Sequence, residues 1–282
     1  MNIAYPSLLF FLFLSCKVFA AMDSQVQATL DIQRELFPEQ YQIIDAGGQQ
    51  VLVIIEENTN AIPRGVAIMM GEAGRSIVSQ NGLAPLTHKL NALGWVTMLV
   101  QTPNIGAGQA GTKQETVVPQ DVSTATVFAH SPVDPMDPQT FLEHEQQLIE
   151  QMGGILEKSA DYPGFKLIIS QGTTAAWLAK IYAQNKLVTP DAFVAISPYW
   201  PWREHNRQLA DYVAATGMPV LDLHNARDNN WSLQSYPARK IAATKALKLH
   251  YRQREIIGLA IHNQQAEYLS KEIYGWLSYM GW

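Results

Sequence analysis

Short apolar runs alternate with amphipathic stretches along most of the chain, and each apolar run has the length of one buried strand. Residues 41–44 and 51–56 flank a glycine pair, which predicts a β-hairpin. Further strands are predicted at residues 65–70, 95–100, 165–169, 192–196, 219–223 and 254–260. Helices are predicted at residues 83–93, 141–158, 173–183, 205–214, 235–247 and 264–279. This alternation predicts an α/β fold with a mainly parallel sheet, helices on both faces and an N-terminal antiparallel hairpin.

The beginning of the chain has a different pattern from the rest. Residues 8–14 form an unbroken apolar run, followed by the cleavage-site pattern Val18, Phe19, Ala20, which is typical of a signal peptide cleaved after Ala20. The run is far shorter than the roughly 20 residues that span a bilayer, so no stable membrane span is predicted. An alternative is a lipoprotein acylated at Cys16. We predict a periplasmic or secreted protein, with a signal peptide at residues 1–20 and a single domain at residues 21–282.

Charge and residue spacing argue against nucleic-acid binding and metal binding, and one long segment has neither helical nor strand period. The formal net charge of -5 provides no basic surplus for a phosphate backbone, so no nucleic acid partner is expected. Glu143, His144 and Glu145 lack the spacing of metal ligands on one helical face, and neither a metal nor a cofactor is expected. Residues 104–140 are rich in Gly, Gln, Thr and Pro, which predicts a long loop or lid.

One strand is predicted to turn sharply into a helix of small residues, over residues 167–176. In a nucleophile elbow the reactive residue lies at the apex and small residues flank it. Here Gly172 takes the apex, between Ser170 and Thr174. A register shifted by two residues would place Thr174 at the apex, but polar residues would then extend a buried strand. Because the flanking residues are small, we expect the turn to accept a serine at position 172 sterically, at some conformational cost.

An acid and a histidine follow the last two predicted strands. Asp228 comes a short loop after the strand at residues 219–223, and His262 comes just after the final strand. Along the chain the apex residue comes first, the acid second and the histidine third, which is the order in catalytic sites that are built on a nucleophile elbow. The alternatives are a turn or helix-capping role for Asp228 and a surface position for His262. Asp222 lies within a strand and is expected to be structural.

Further candidate binding residues follow other strands. Gly71 and Glu72 lie in a glycine-bearing turn, which either directs backbone N–H groups at an oxyanion or is an ordinary strand exit. Thr173 follows the apex residue. Trp200 and Trp202 belong to an aromatic loop, which is either a platform for an apolar or carbohydrate ligand or a loop packed on its own domain. A small molecule, glycan or ester is the kind of ligand expected.

At these places the sequence resembles the α/β-hydrolase superfamily, and more narrowly a bacterial family of exported hydrolase-like proteins of unknown function. The resemblance rests on residues 65–74, 93–100, 168–176 and 275–277. It implies the α/β-hydrolase fold, with the oxyanion turn at Gly71, the acid at Asp228 and the base at His262. The chain departs from the hydrolytic relatives at Gly172, where they attack through a serine.

The sequence therefore supports three hypotheses. The first is an ester or amide hydrolase, in which His262 and Asp228 activate water or a hydroxyl such as that of Ser170 or Thr174. The second is a pseudoenzyme that binds a ligand or an envelope partner without acyl transfer. The third is a scaffold in the cell envelope that uses the long loop or the aromatic loop as an interface. The pattern makes no prediction of oligomeric state.

Overall fold

The computed structural model describes residues 24–79, 82–105, 136–257 and 263–282. The strands are β1 (Gln42–Ala46), β2 (Gln49–Glu56), β3 (Gly65–Met70), β4 (Trp95–Val100), β5 (Phe165–Gln171), β6 (Ala192–Ile196), β7 (Val220–Asn225) and β8 (Tyr251–Ile256). The α-helices are α1 (Ser24–Glu35), α2 (Thr87–Ala92), α3 (Pro138–Lys158), α4 (Gly172–Ala183), α5 (Arg203–Ala215), α6 (Asn230–Lys245) and α7 (Asn263–Tyr279). Short 3₁₀ helices cover Pro38–Gln40, Ala84–Leu86 and Ser159–Asp161.

The strands form one sheet, in the order β1-β2-β4-β3-β5-β6-β7-β8. β2 pairs antiparallel with β1 and β4, and the remaining pairs are parallel. The predicted α/β fold with its N-terminal hairpin is confirmed. Because β3, β5, β6 and β7 run in the same direction, the residues that follow them meet at one edge, which we call the carboxyl edge. The opposite edge, where these strands begin, is the amino edge.

Both faces of the sheet are buried, which explains why β3 and β6 have no polar side chains. In β3, Ile68 and Met70 pack into one core with Trp177 of α4, while Ala67 and Met69 face a second core. Side chains alternate between the two faces of a strand, so a strand covered by helices on both sides has no polar face. The structure therefore holds the carboxyl edge on a rigid, fully packed layer.

The last strand begins earlier than the sequence predicted. The expected strand at residues 254–260 is wrong in its start, since β8 spans Tyr251–Ile256, and residues 258–260 lie outside the described ranges. The side chains of Tyr251 and Gln253 donate hydrogen bonds to buried Asp222 of β7, over 2.8 and 2.9 Å. These bonds between neighbouring strands favour the observed register, and the local hydrophobic pattern does not contain them.

Two helices begin three or more residues earlier than predicted, because polar residues cap them. The side chain of Asp137 accepts a hydrogen bond from the Thr140 N–H at 3.0 Å, and α3 therefore starts at residue 138. Asn229 caps α6 in the same way, by accepting from the Ser232 N–H at 2.9 Å. The end of the predicted loop at residues 104–140 is thus helical, and residues 106–135 lie outside the described ranges.

The predicted signal peptide, residues 1–20, also lies outside the described part of the chain. Within the described part, no helix has both the length and the apolar character needed to cross a membrane.

Candidate functional site

The chain turns from β5 into α4 at Gly172 with no intervening loop. Gly172 has a φ of +62°, a left-handed conformation that costs a residue with a side chain about 1–2 kcal/mol. Ser170 belongs to β5, although the sequence predicted that the strand would end at residue 169. The turn nevertheless lies at Gly172, and Thr174 lies within the first turn of α4.

The three hydroxyl side chains around this turn are buried. Ser170 and Thr174 are 0% exposed and Thr173 is 6% exposed. Their hydroxyl oxygens have no hydrogen-bond partner among the described residues. A nucleophilic hydroxyl has to reach the substrate and contact a base. In this conformation neither Ser170 nor Thr174 is exposed to a substrate.

Glu72, the second residue after β3, fills the space beside Gly172. A Cβ atom placed on residue 172 would lie 2.7 Å from Oε1, 2.8 Å from Cδ and 2.9 Å from Cγ of Glu72. Favourable van der Waals contacts between carbon atoms lie at about 3.5–4.0 Å. The expectation that the turn accepts a serine sterically is therefore wrong for this arrangement, because Glu72 would first have to move.

Two side chains hold the carboxylate of Glu72 in this position. The Tyr199 hydroxyl donates to Oε1 at 2.5 Å, and Arg75 Nε donates to Oε2 at 2.8 Å. Burial, together with the Glu72 and Asp228 carboxylates, raises the pKa of Tyr199, so its phenol stays a neutral donor. The carboxylate also lies beside the N-terminus of α4, where unpaired N–H groups and the helix dipole favour negative charge. The sequence offered this turn as an oxyanion site. In the structure, the carboxylate of Glu72 itself lies beside Gly172, where an oxyanion would be expected to bind.

Asp228 lies at the same edge, in the turn after β7. Its Oδ2 atom accepts hydrogen bonds from the Asn225 N–H at 2.8 Å and from the Ser197 hydroxyl. Ser197 directly follows β6 and has a left-handed φ of +50°. His262 lies outside the described residues, so its contact with Asp228 stays a prediction.

Sequence reasoning missed three residues of this site. Tyr199 lies in the aromatic loop but is not among the binding residues that the pattern predicts, and neither are Ser197 and Arg75. Ser197 and Tyr199 follow β6 and therefore reach the carboxyl edge. Residues that follow the carboxyl ends of parallel strands are candidates for a binding site. This rule, applied to β6 as well, identifies both Ser197 and Tyr199. Arg75 carries no comparable signal, because it follows no strand directly and pairs with Glu72 within its own turn.

The aromatic loop packs on its own domain. Trp200 is 0% exposed, and its ring centroid lies 5.5 Å from that of Trp177 and 5.7 Å from that of Phe141. The indole N–H of Trp202 is buried too, and its ring meets Phe141 edge to face at 6.4 Å. The ligand platform is therefore corrected at Trp200, which packs inside the domain, whereas at the partly exposed Trp202 it stays a prediction.

Solved structures share this arrangement of strands and helices. Est1E from Butyrivibrio proteoclasticus has a TM-score of 0.55 at 10% identity, covering 84% of this chain and 97% of that one. Dienelactone hydrolase from Anabaena variabilis has a TM-score of 0.54 at 11% identity, covering 85% and 98%. The esterase domain of a Rhodothermus marinus protein has a TM-score of 0.51 at 10% identity, covering 84% and 96%. At such low identity the likeness shows the fold alone, which is the α/β-hydrolase fold.

Sequence comparison gives a different kind of result. Among curated protein sequences, none matches this chain. The profile of a family described as "Protein of unknown function (DUF3530)" matches residues 15–279, which is nearly the whole chain. The match includes the turn at Gly172, the acidic residues at the carboxyl edge and the final helix. This chain therefore belongs to the DUF3530 family.

Proposed function

We propose that this chain is a non-catalytic protein of the α/β-hydrolase fold, which binds a ligand at the carboxyl edge of its sheet. The contact between Glu72 and Gly172 carries the proposal, because a carboxylate from another loop fills the space that a nucleophilic side chain would need. Covalent hydrolysis requires a reactive atom held against a base. Glycine has none, and Ser170 and Thr174 are buried. Binding without acyl transfer is the function that these residues support best.

The chemistry of the edge favours a ligand that carries hydroxyl or ammonium groups. The carboxylates of Glu72 and Asp228 both raise the pKa of Tyr199, which shows that they lie near the same phenol. Arg75 neutralises the charge of Glu72 but does not pair with Asp228 among the described residues. Carboxylates accept hydrogen bonds and attract cations. A ligand carboxylate at this edge would be repelled by Glu72 and Asp228, so we propose a sugar-like or amine-bearing ligand for this chain.

We also propose that the protein is exported and acts in the periplasm or outside the cell. The support is the apolar run at residues 8–14 and the cleavage-site pattern Val18, Phe19, Ala20. Lipid attachment at Cys16 is the alternative, and it would place the same domain at a membrane surface.

A fluorophosphonate probe, read by intact-protein mass, tests the loss of the nucleophile. We expect no adduct on the wild type or on Gly172→Ser, because Glu72 overlaps the new side chain. The double variant Gly172→Ser/Glu72→Ala should be labelled, and adding His262→Ala should abolish that labelling. An adduct on wild-type Ser170 or Thr174 would contradict the proposal.

A second candidate function is hydrolysis through an activated water molecule. It is favoured by the same Glu72, whose carboxylate lies beside the apex of the turn and is of a type that can accept a proton from water. Turnover of p-nitrophenyl acetate by the wild type and by Glu72→Gln distinguishes the two functions. A rate above background that disappears in Glu72→Gln would replace the binding proposal with this one.

A further inference from the structure

Three aliphatic side chains are exposed at the end of α6 and in the loop after it. Ile241 is 54% exposed, Leu247 is 84% exposed and Leu249 is 79% exposed. Single exposed apolar residues are ordinary on a protein surface, whereas a group of them marks an interaction site. We call these three residues, with Lys240 and Lys245, the α6 patch.

The backbone of this loop is held in a defined conformation. Leu247 has a φ of +51°, which is uncommon for a residue with a branched side chain. The N–H groups of Leu247 and Lys248 donate to Thr244 and Ala243 of α6, at 3.1 and 3.0 Å. The ammonium group of Lys248 also donates to the backbone carbonyl of Thr216 at the end of α5. Both leucines therefore project to solvent from an ordered turn.

The charge of this region is opposite to that of the whole chain. Between Asp228 and Glu255 the sequence has six Lys or Arg residues and no Asp or Glu, although the chain has a net charge of -5. The charge of Arg239 does not contribute to the surface, because its side chain is buried and pairs with Asp222 at 2.8 Å. Lys240 and Lys245 are exposed and form no salt bridge within the described ranges. Free cations thus lie directly beside the exposed aliphatic side chains.

The α6 patch lies at the amino edge, away from Glu72. α6 follows β7 and leads back to the start of the parallel strand β8, so its C-terminal end lies where these strands begin. Val188, which is 80% exposed, precedes β6 and reaches the same edge. A partner bound there would leave the carboxyl edge open to a ligand.

We propose that the α6 patch binds the surface of a bilayer that contains anionic phospholipids. Leu247 and Leu249 would enter the boundary between headgroups and acyl chains, and Lys240 and Lys245 would contact the anionic headgroups. This combination of aliphatic and basic side chains is the one that interfacial lipid binding uses. The domain would then rest on the membrane by its amino edge, with the Glu72 site facing away from it.

Sedimentation with vesicles tests this proposal. The full chain, with its N-terminal processing read by mass, is mixed with vesicles of phosphatidylcholine alone or with 30% phosphatidylglycerol. We expect binding only to the anionic vesicles, with a partition coefficient that falls about tenfold or more in Leu247→Asn/Leu249→Gln. Asparagine tolerates the left-handed φ of residue 247. Lys240→Glu/Lys245→Glu should weaken binding similarly, and added salt should weaken it further in the wild type.

A matched variant controls for a general effect of apolar side chains. Phe37 is 69% exposed and lies just before β1, at the opposite end of the strand order, so Phe37→Gln should bind as the wild type does. Absence of binding to anionic vesicles would overturn the proposal, as would binding that is unchanged in the leucine variant. If the wild type instead self-associates and the leucine variant does not, the α6 patch is a protein interface and the lipid proposal is wrong.

Discussion

The carboxyl group of Glu72 lies over Gly172, so close that a Cβ atom on residue 172 would come within 2.7 Å of Oε1. The two residues are a hundred positions apart in the chain and meet because β3 and β5 are neighbouring parallel strands. Two independent features therefore favour glycine at position 172. The backbone has a left-handed φ, and the Glu72 side chain leaves no room for a Cβ atom. This relationship makes the turn sensitive to substitution in a way that can be measured.

We expect Gly172→Ala to lower the free energy of unfolding by about 2–4 kcal/mol, because backbone strain and overlap with Glu72 both contribute. In a Glu72→Ala background the loss should shrink to about 1–2 kcal/mol, since only the strain remains. Urea denaturation of the four proteins in this cycle measures the coupling. Gly48 is the matched control: its φ is +82° and nothing lies within 4 Å of a Cβ placed there. If Gly48→Ala and Gly172→Ala cost the same, the contact with Glu72 does not contribute.

Asp222 is expected to be a structural residue whose removal strongly destabilises the fold. It is 0% exposed and accepts hydrogen bonds from Arg239 at 2.8 and 3.0 Å, and from Tyr251 at 2.8 Å. Asp222→Ala leaves the Arg239 guanidinium buried without its partner, which typically costs about 3–5 kcal/mol. Thermal and urea denaturation measure the loss. Glu272→Ala, which breaks a long, partly exposed pair with Arg254 at 3.7 Å, should cost less than about 1 kcal/mol.

His144 is expected to make stability depend on pH between pH 6.5 and pH 4. Burial lowers its pKa from 6.5 to about 4, and its ring nitrogens have no partner among the described residues. The unfolded chain takes up a proton in this window while the folded chain does not, so stability falls as the pH falls. The loss due to this residue reaches about 3 kcal/mol at pH 4. Urea denaturation at several pH values should show a shallower dependence for His144→Leu. An identical dependence in both proteins would contradict this prediction.

We predict that the mature protein begins at Ala21, because the apolar run at residues 8–14 is followed by the cleavage-site pattern Val18, Phe19, Ala20. Intact-protein mass and N-terminal sequencing of the protein from the periplasmic fraction measure this directly. A chain that begins at Cys16 and carries acyl groups would show the lipoprotein alternative instead. A full-length chain in the cytoplasm would contradict both forms of export.

Much of the fold was predictable because neighbouring residues encode it. The strands at residues 65–70, 95–100 and 192–196 were predicted with the bounds that the structure has, since buried strands are short, continuous apolar runs. The start of β8 was not predictable in the same way. Its register depends on bonds from Tyr251 and Gln253 to Asp222, which local hydrophobicity does not report. The capping residues of α3 and α6 are present in the sequence, but the helical hydrophobic period begins several residues after them, so the pattern predicts both helix starts too late.

By itself, the sequence determined the alternation of strands and helices, the sharp turn with a glycine at position 172, and the placement of Asp228 after a late strand. Only the tertiary structure decided that Glu72 covers that glycine and that Tyr199, 127 residues further along the chain, holds the carboxylate there. The physical reason is that the hydrophobic period and the composition of a segment indicate which of its faces is buried. The residue that fills a given space is set by parallel strand pairing and by the loops that this pairing brings to one edge.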